Sequence, residues 1–197
     1  MMKRGELMKV LIACEESQRV CTAFRGKGHE AYSCDIQPCS GCHPEWHYQC
    51  DVMNAILLQQ WDFIGLHVPC TAMAVSGNRW YGKGTPRHNE RLEAIRWSLE
   101  VWNITKKQTK YAYLENPVSV LFPYIKERVQ YVHPWQFGHG ETKKTGLALY
   151  NLPDLKPTNI VNGREQRIWK MAPGPDRAKL RSKTYQGIAE AFADQWG

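Results

Sequence analysis

The sequence lacks any apolar run that could cross a membrane, since none approaches the roughly 18 consecutive apolar residues that a spanning helix requires. The basic start of the chain is followed by an apolar stretch at residues 10–14, which is too short for the core of a signal peptide. We therefore expect a cytoplasmic protein without a membrane partner.

Internal repeats and low-complexity segments are also missing. The seven cysteines are an odd number. In a cytoplasmic chain we interpret them as free thiols, metal ligands or a nucleophile rather than as a disulfide framework. At 197 residues the chain is long enough for one α/β domain and short for two. We expect a single domain over residues 1–197.

Strand and helix patterns alternate along most of the chain. Apolar runs predict strands at residues 9–14, 29–35, 61–68 and 110–114, and a hairpin from 129–137 and 145–152. Helices are predicted at 18–27, 86–106 and 182–195, the second with Leu92, Ile95, Leu99 and Trp102 near one face. Residues 153–175 are rich in Pro and Gly, which predicts irregular structure. The alternation favours an α/β fold with a mostly parallel sheet and helices on both faces.

Ligands of such sheets bind beyond the carboxyl ends of the strands. One of these ends is Cys70, which follows Pro69 and precedes a loop with many small residues. We expect backbone amides to approach the sulfur and lower the pKa of the thiol, and the thiolate is the nucleophilic form. The alternative is that Cys70 is a small buried hydrophobic residue.

Glu115 ends another predicted strand and is followed by Asn116 and Pro117. A carboxyl group after apolar residues at the mouth of a sheet is expected to have a raised pKa and to donate a proton. Alone, Glu-Asn-Pro is also typical of a capped turn. Two such strand ends, separated by one helix, predict that Cys70 and Glu115 face one crevice. There the sulfur adds to a carbon of an electron-poor ring while the acid protonates a ring nitrogen.

The order of these motifs resembles that of the cytosine-C5 DNA methyltransferases, over about residues 9 to 196. Two later segments are similar to those of small phage-type members without a target-recognition domain. The matching pieces are Pro69-Cys70 with Ser76 downstream, Glu115-Asn116-Pro117, residues 136–146 and residues 181–189.

The resemblance implies a Rossmann-like class I methyltransferase fold and a location in the host cytoplasm if a phage encodes the chain. It implies that Cys70 attacks C6 of a cytosine and that Glu115 protonates N3. A methyl group then passes from S-adenosylmethionine to C5. Asn116 is implied to hold the loop around Cys70. In duplex DNA the target base must be flipped out to reach such a pocket.

The resemblance also implies where the cofactor binds. Asp35 would contact the ribose hydroxyls, Asp51 would lie near the adenine, and Glu15 would face the methionine end. The turn after the first strand contains no glycine. Its small residues Ala13, Cys14 and Ser17, together with Pro69 before the nucleophile, complete the predicted cofactor site. Glu15 is alternatively a solvated acid that stabilises the following helix.

A basic segment takes the place at which larger members of the family insert a target-recognition domain. It contains Arg164, Arg167, Lys170, Arg177, Lys179, Arg181 and Lys183. With a net charge of +7, this segment suggests contact with DNA phosphates or, alternatively, a solvated basic face. Trp169 suggests base stacking or ordinary packing. Specificity without the missing domain would be loose or would come from a homodimer or an accessory partner.

The loop at residues 39–50 holds Cys39, Cys42, His43 and Cys50. A Cys-x2-Cys pair followed by His and Cys supplies enough ligands for tetrahedral zinc. The alternative is that these cysteines are incidental and that Trp46 packs inward.

Three functions stay open from the sequence. The first is cytosine-C5 methylation of DNA. The second keeps the ring chemistry but acts on a free cytosine nucleotide or a single strand. The third is a non-catalytic DNA-binding protein on a degenerate methyltransferase scaffold.

Overall fold

The structure is a computed structural model that describes residues 6–174 and 177–197. The start of the chain and the last residue of the predicted irregular stretch, Pro175, lie outside the described residues. The strands are β1 (Lys9–Ala13), β2 (Glu30–Asp35), β3 (His47–Gln49), β4 (Phe63–Leu66), β5 (Tyr111–Pro117), β6 (Val129–Val132) and β7 (Thr145–Tyr150). The helices are α1 (Arg19–Gly26), α2 (Val52–Leu57), α3 (Asn78–Tyr81), α4 (His88–Gln108), α5 (Arg167–Lys170), α6 (Arg177–Ser182) and α7 (Gln186–Trp196).

The strands form one sheet in the order β3-β2-β1-β4-β5-β7-β6. The first five positions are parallel and follow the order of a doubly wound sheet, while β7 is antiparallel to both of its neighbours. The predicted Rossmann-like α/β fold with a mostly parallel sheet is therefore confirmed. The predicted hairpin is formed by β6 and β7, although its first strand ends at Val132, five residues earlier than predicted.

Alternation along β1 explains the layered core. Val10 and Ile12 pack with α1 and α7 on one face of the sheet. Leu11 and Ala13 pack with α2 and α4 on the other face. Strands that are buried on both faces have continuous apolar runs, which is the pattern in residues 10–13.

Two strand predictions need correction. The strand predicted at 61–68 covers only Phe63–Leu66, so the segment from His67 to Cys70 is free to turn into the site. The strand predicted at 110–114 extends to Pro117, because Glu115 and Asn116 pair with Leu147 and Gly146 of β7. Glu115 and Asn116 are consequently held by a ladder of backbone hydrogen bonds rather than by a capped turn.

Helix α4 is rotated relative to the prediction. Leu92 is 49% exposed, whereas the neighbouring Arg91 is buried, with Ile95 and Trp102 on the same inner face. The physical reason is that the Arg91 guanidinium hydrogen-bonds to the loop after β4. The last helix begins at Gln186, four residues later than predicted, and the short α5 interrupts the predicted irregular stretch. Over the described ranges, no helix combines the length and apolarity needed to cross a membrane.

Candidate active site

Cys70 and Glu115 belong to neighbouring parallel strands. Leu66 at the end of β4 pairs with Leu114 of β5, so Glu115 lies one residue and Cys70 four residues beyond the same rung of the sheet. After Cys70 the chain turns tightly, and the backbone amides of Met73 and Ala74 donate to the Cys70 carbonyl at 3.0 and 2.8 Å. The thiol is half-buried and lies within the electrostatic field of the Glu115 carboxylate.

The segment that leads to Cys70 is attached to β5. The buried Asn116 donates from Nδ2 to the Val68 carbonyl at 3.1 Å. Beyond Cys70, the Val120 amide donates to the Met73 carbonyl at 3.0 Å, and the Ser119 hydroxyl donates to the same carbonyl at 3.2 Å. These contacts fix both sides of the loop relative to Glu115.

Arg91 secures the same loop from α4. Its Nε donates to the Ala72 carbonyl at 2.7 Å and a terminal nitrogen donates to Asn78 Oδ1 at 2.8 Å. The second terminal nitrogen lies 3.5 Å from the Ala74 carbonyl. A buried guanidinium with several donors in a rigid fork holds a loop more firmly than one point charge does.

The expected raised pKa of Glu115 is confirmed in direction. Burial raises the pKa of the carboxyl, and the Lys143 ammonium partly opposes this shift. A neutral carboxylic acid is therefore favoured relative to an exposed glutamate. This is the form that can donate a proton.

The expected low pKa of the Cys70 thiol is wrong. Burial raises this pKa, and the Glu115 carboxylate raises it further, whereas Lys143, the Cys70 backbone amide and Arg181 lower it by less. The amides of the loop thus do not outweigh desolvation of the thiolate. Protonation of Glu115 removes one of the two causes, so a neutral Glu115 and a Cys70 thiolate are mutually favourable.

Lys143 is a site residue to which the sequence analysis gave no role. Its charge acts on Cys70, Glu115 and His67, and its Nζ donates to the Arg181 carbonyl at 2.9 Å. Glu115, Lys143 and Tyr185 line one narrow cleft. Lys143 lies in an irregular segment, where no hydrophobic periodicity marks individual residues. The only signal in the sequence was that residues 136–146 are similar to a segment of the small phage-type members.

The turn between β1 and α1 has a strained backbone. Cys14 and Gln18 adopt the left-handed conformation, with φ of 59° and 56°, which glycine adopts more readily. Two residues other than glycine thus adopt the left-handed conformation in a turn that contains no glycine. Burial first, and then the charges of Asp35 and Asp51, raise the pKa of Cys14 to about 12. Three of the residues predicted to bind the cofactor therefore share one edge of the sheet.

Glu15 stabilises the start of α1, as the second interpretation of this residue predicted. It is buried rather than solvated, and its two carboxylate oxygens accept hydrogen bonds from the amides of Val20 and Cys21 at 2.7 and 3.1 Å. Burial raises its pKa to about 7 despite these hydrogen bonds and one from Ser17. The carboxylates of Asp35 and Asp51 also accept local backbone hydrogen bonds, from Gln37 and Met53 respectively. Pro69 is exposed and Ala13 is buried.

The zinc prediction for residues 39–50 is not supported. Across residues 6–174 and 177–197, no group of three His, Cys, Asp or Glu side chains is arranged to hold a metal ion. His43 stacks on the half-buried Trp46 with ring centroids 3.7 Å apart. The buried Gln18 side chain hydrogen-bonds to the His43 amide and carbonyl, at 3.2 and 2.7 Å. The Gln18 side chain therefore links the loop at residues 39–50 to the strained turn between β1 and α1.

The basic segment borders the candidate site. The positive charge of Arg181 lowers the pKa of the Cys70 thiol. Lys179 Nζ lies 3.8 Å from the Glu16 carboxylate in the strained turn. Trp169 is 75% exposed, so the packing interpretation of this residue is wrong. Trp80 on α3, which follows Cys70 in the sequence, is also exposed, and the Arg79 guanidinium lies 5.0 Å from the centre of its ring.

No protein-family model and no curated protein matches this chain. Among solved structures, it is similar to a protein assigned as a DNA modification methyltransferase and encoded within an E. coli prophage, with a TM-score of 0.46, 13% identity, and coverage of 85% of this chain and 56% of that one. It is similar to the S. pombe Dnmt2 methyltransferase with a TM-score of 0.46, 13% identity, and coverage of 85% of this chain and 55% of that one. The chain thus spans a little over half the length of these structures.

Proposed function

We propose that this protein transfers a methyl group from S-adenosylmethionine to C5 of cytosine in DNA, through a covalent bond between Cys70 and C6 of the base. The observation that carries the proposal is the half-buried Cys70 thiol in the field of Glu115, a carboxyl group beside Lys143 whose pKa is raised by burial. A nucleophile and an acid that reach one ring from two edges suit activation of a pyrimidine and have no evident structural purpose.

In the proposed reaction, the Cys70 thiolate forms a bond to C6 while Glu115 gives its proton to N3. The ring electrons thus move toward C5, which becomes the nucleophile. Lys143 stabilises both the thiolate before attack and the Glu115 carboxylate after proton transfer. After C5 has taken up the methyl group, solvent water accepts the C5 proton, and the electron pair of that C–H bond restores the double bond between C5 and C6. The sulfur leaves C6 as the Cys70 thiolate, and N3 returns its proton to Glu115.

The cofactor would occupy the carboxyl ends of β1 and β2. The turn with left-handed Cys14 and Gln18 brings backbone atoms to this edge, and the nearby Asp35 and Asp51 offer acceptors for hydroxyl and amino groups. We assign Asp35 to the ribose hydroxyls, because an acid at the end of a second strand commonly binds them. When bound there, S-adenosylmethionine supplies the methyl group. We do not propose a contact between Glu15 and the cofactor, because both oxygens of the Glu15 carboxylate accept hydrogen bonds from amides at the start of α1.

DNA is the proposed partner because cationic and exposed aromatic side chains lie on the segments that adjoin the site in the chain. The Arg181 charge acts on the Cys70 thiol, Lys179 lies on the same helix as Arg181, and Arg79 lies over the exposed Trp80 on α3, which follows Cys70 in the sequence. Such a surface matches phosphates and an unstacked base. A target cytosine in a duplex would have to be flipped out to reach Cys70.

The test is methyl transfer from radiolabelled S-adenosylmethionine to duplex DNA, single-stranded DNA and deoxycytidine monophosphate. We expect label at C5 of cytosine in DNA, none with Cys70→Ser, and slow transfer with Glu115→Gln. Cys42→Ser is the matched control, because Cys42 is exposed in the loop at 39–50 and we assign it no role. Label only in the mononucleotide would reject DNA as substrate, and no label on any substrate would reject the proposed activity.

A further inference from the structure

His67 and Tyr113 form a buried polar contact next to Glu115. His67 Nε2 lies 2.7 Å from the Tyr113 hydroxyl, and His67 Nδ1 lies 3.9 Å from Glu115 Oε2. The His67 side chain is 8% exposed and Tyr113 is fully buried. The proposed reaction assigns neither residue a role.

The sheet is shaped to allow this contact. Gly65 pairs with Tyr113, and a Cβ at Gly65 would lie 2.6 Å from the Tyr113 ring and hydroxyl. Tyr113 and Glu115 lie two residues apart on β5 and therefore share a face. His67 directly follows β4, and its backbone amide still donates to the Ala13 carbonyl at 2.9 Å. The missing side chain at Gly65 leaves the space through which the hydroxyl reaches the imidazole. Phe192, with its ring centroid 4.7 Å from that of Tyr113, keeps the tyrosine ring in place.

The direction of the hydrogen bond follows from burial and charge. Burial, and then the negative charges of Glu15 and Glu115, hold the pKa of Tyr113 well above its ordinary value, so its hydroxyl is protonated. A buried hydroxyl donates to an available acceptor, and here that acceptor is His67 Nε2. Burial and the Lys143 charge lower the pKa of His67 to about 3, so the ring is neutral. Its single proton must then be on Nδ1, the nitrogen that faces Glu115.

We propose that His67 is a positioning residue for Glu115, with its Nδ1–H fixed by the Tyr113 hydroxyl and directed toward the Glu115 carboxyl group. This inference rests on the proposed role of Glu115. The N–H dipole stabilises the carboxylate that remains after Glu115 has donated its proton, and it adds no net charge that would keep Glu115 ionised beforehand. The other titratable groups that face Glu115 are Cys70 from the loop after β4, Lys143 from the segment before β7, Tyr113 on its own strand and Tyr185 before α7.

The direct test is nuclear magnetic resonance of the protein with 15N-labelled histidine and 13C-labelled glutamate carboxyl groups. In the wild type we expect the Nδ1–H tautomer of His67. Tyr113→Phe keeps the ring but removes the donor, so we expect a mixture of tautomers and an upward shift of the Glu115 titration midpoint. The matched control is Tyr150→Phe, which removes a hydroxyl from β7 and should change neither signal. An unchanged tautomer and midpoint in Tyr113→Phe would overturn the inference.

Two further variants keep the test decisive if Tyr113→Phe alters packing. His67→Gln keeps an N–H donor, and His67→Leu removes it. We expect His67→Leu to raise the Glu115 midpoint more than His67→Gln does, and equal midpoints would overturn the inference. If methyl transfer is present, Tyr113→Phe should lower kcat by about 3- to 10-fold with little change in KM, the equivalent of one net hydrogen bond. The tautomer and the midpoint can be measured without turnover, so failure of the proposed activity remains distinguishable from failure of this inference.

Discussion

Arg91→Met is the perturbation that tests how the Cys70 loop is held. Arg91 is 6% exposed and makes two short hydrogen bonds, at 2.7 Å to the Ala72 carbonyl and 2.8 Å to Asn78 Oδ1. Each hydrogen bond from a charged donor contributes about 1.5–3 kcal/mol, so their loss costs about 3–6 kcal/mol. Methionine fills much of the volume and removes a buried charge, which offsets part of this cost. We expect the free energy of unfolding to fall by about 2–4 kcal/mol.

Equilibrium urea unfolding measures this change. The matched control is Arg96→Met on the exposed side of the same helix, where we expect a change within about 0.5 kcal/mol. We also expect Cys70 to be alkylated by iodoacetamide faster in Arg91→Met than in the control, because the loop opens more often. Equal stability and equal alkylation rates in the two variants would refute the assignment of Arg91 to the Cys70 loop.

Three other predictions concern the site and the sheet beneath it. Removing the carboxylate with Glu115→Gln lowers the pKa of Cys70, so its alkylation should reach half-maximal rate at a lower pH than in the wild type; an unchanged pH profile would contradict the coupling. Asp35→Asn should weaken S-adenosylmethionine binding by about 10-fold in calorimetry, the value of one charge-assisted hydrogen bond, whereas Asp62→Asn before β4 should leave binding unchanged. Gly65→Ala should destabilise the protein by about 1–3 kcal/mol in urea unfolding, because its methyl group collides with a buried tyrosine ring, and a smaller loss would indicate that the ring can move.

Residues at strand ends were predictable because the carboxyl ends of parallel strands share one edge. This rule predicted from sequence alone that Cys70 and Glu115 face one crevice, and in the structure the Glu115 carboxylate acts electrostatically on the Cys70 thiol. The same rule predicted Cys14 and Asp35 at a second part of that edge, and Asp51, which only the resemblance implied, also acts electrostatically on Cys14 there. Apolar periodicity was enough for these inferences because a strand buried on both faces leaves a clear signal.

Contacts that depend on strand register or side-chain direction were not predictable. The pairing of Gly65 with Tyr113, which lets Tyr113 reach His67, requires the register of β4 against β5. Likewise, the direction of the Glu15 carboxylate depends on the strained backbone at Cys14, which no local pattern encodes. The sign of the pKa shift at Cys70 was wrong because the burial of a thiol is a tertiary property.

The central claim is that Cys70 and Glu115 act on the same cytosine ring. Intact mass spectrometry of the protein with S-adenosylmethionine and duplex DNA containing 5-fluorocytosine tests it most directly, because fluorine at C5 blocks the final elimination. We predict a stable protein–DNA adduct mapped to Cys70, absent in Cys70→Ser and retained in Cys42→Ser. In Glu115→Gln we predict that the adduct forms at least about 100-fold more slowly, the usual cost of losing a general acid. An adduct at another residue, or no adduct while S-adenosylmethionine and DNA are both bound, would contradict the account.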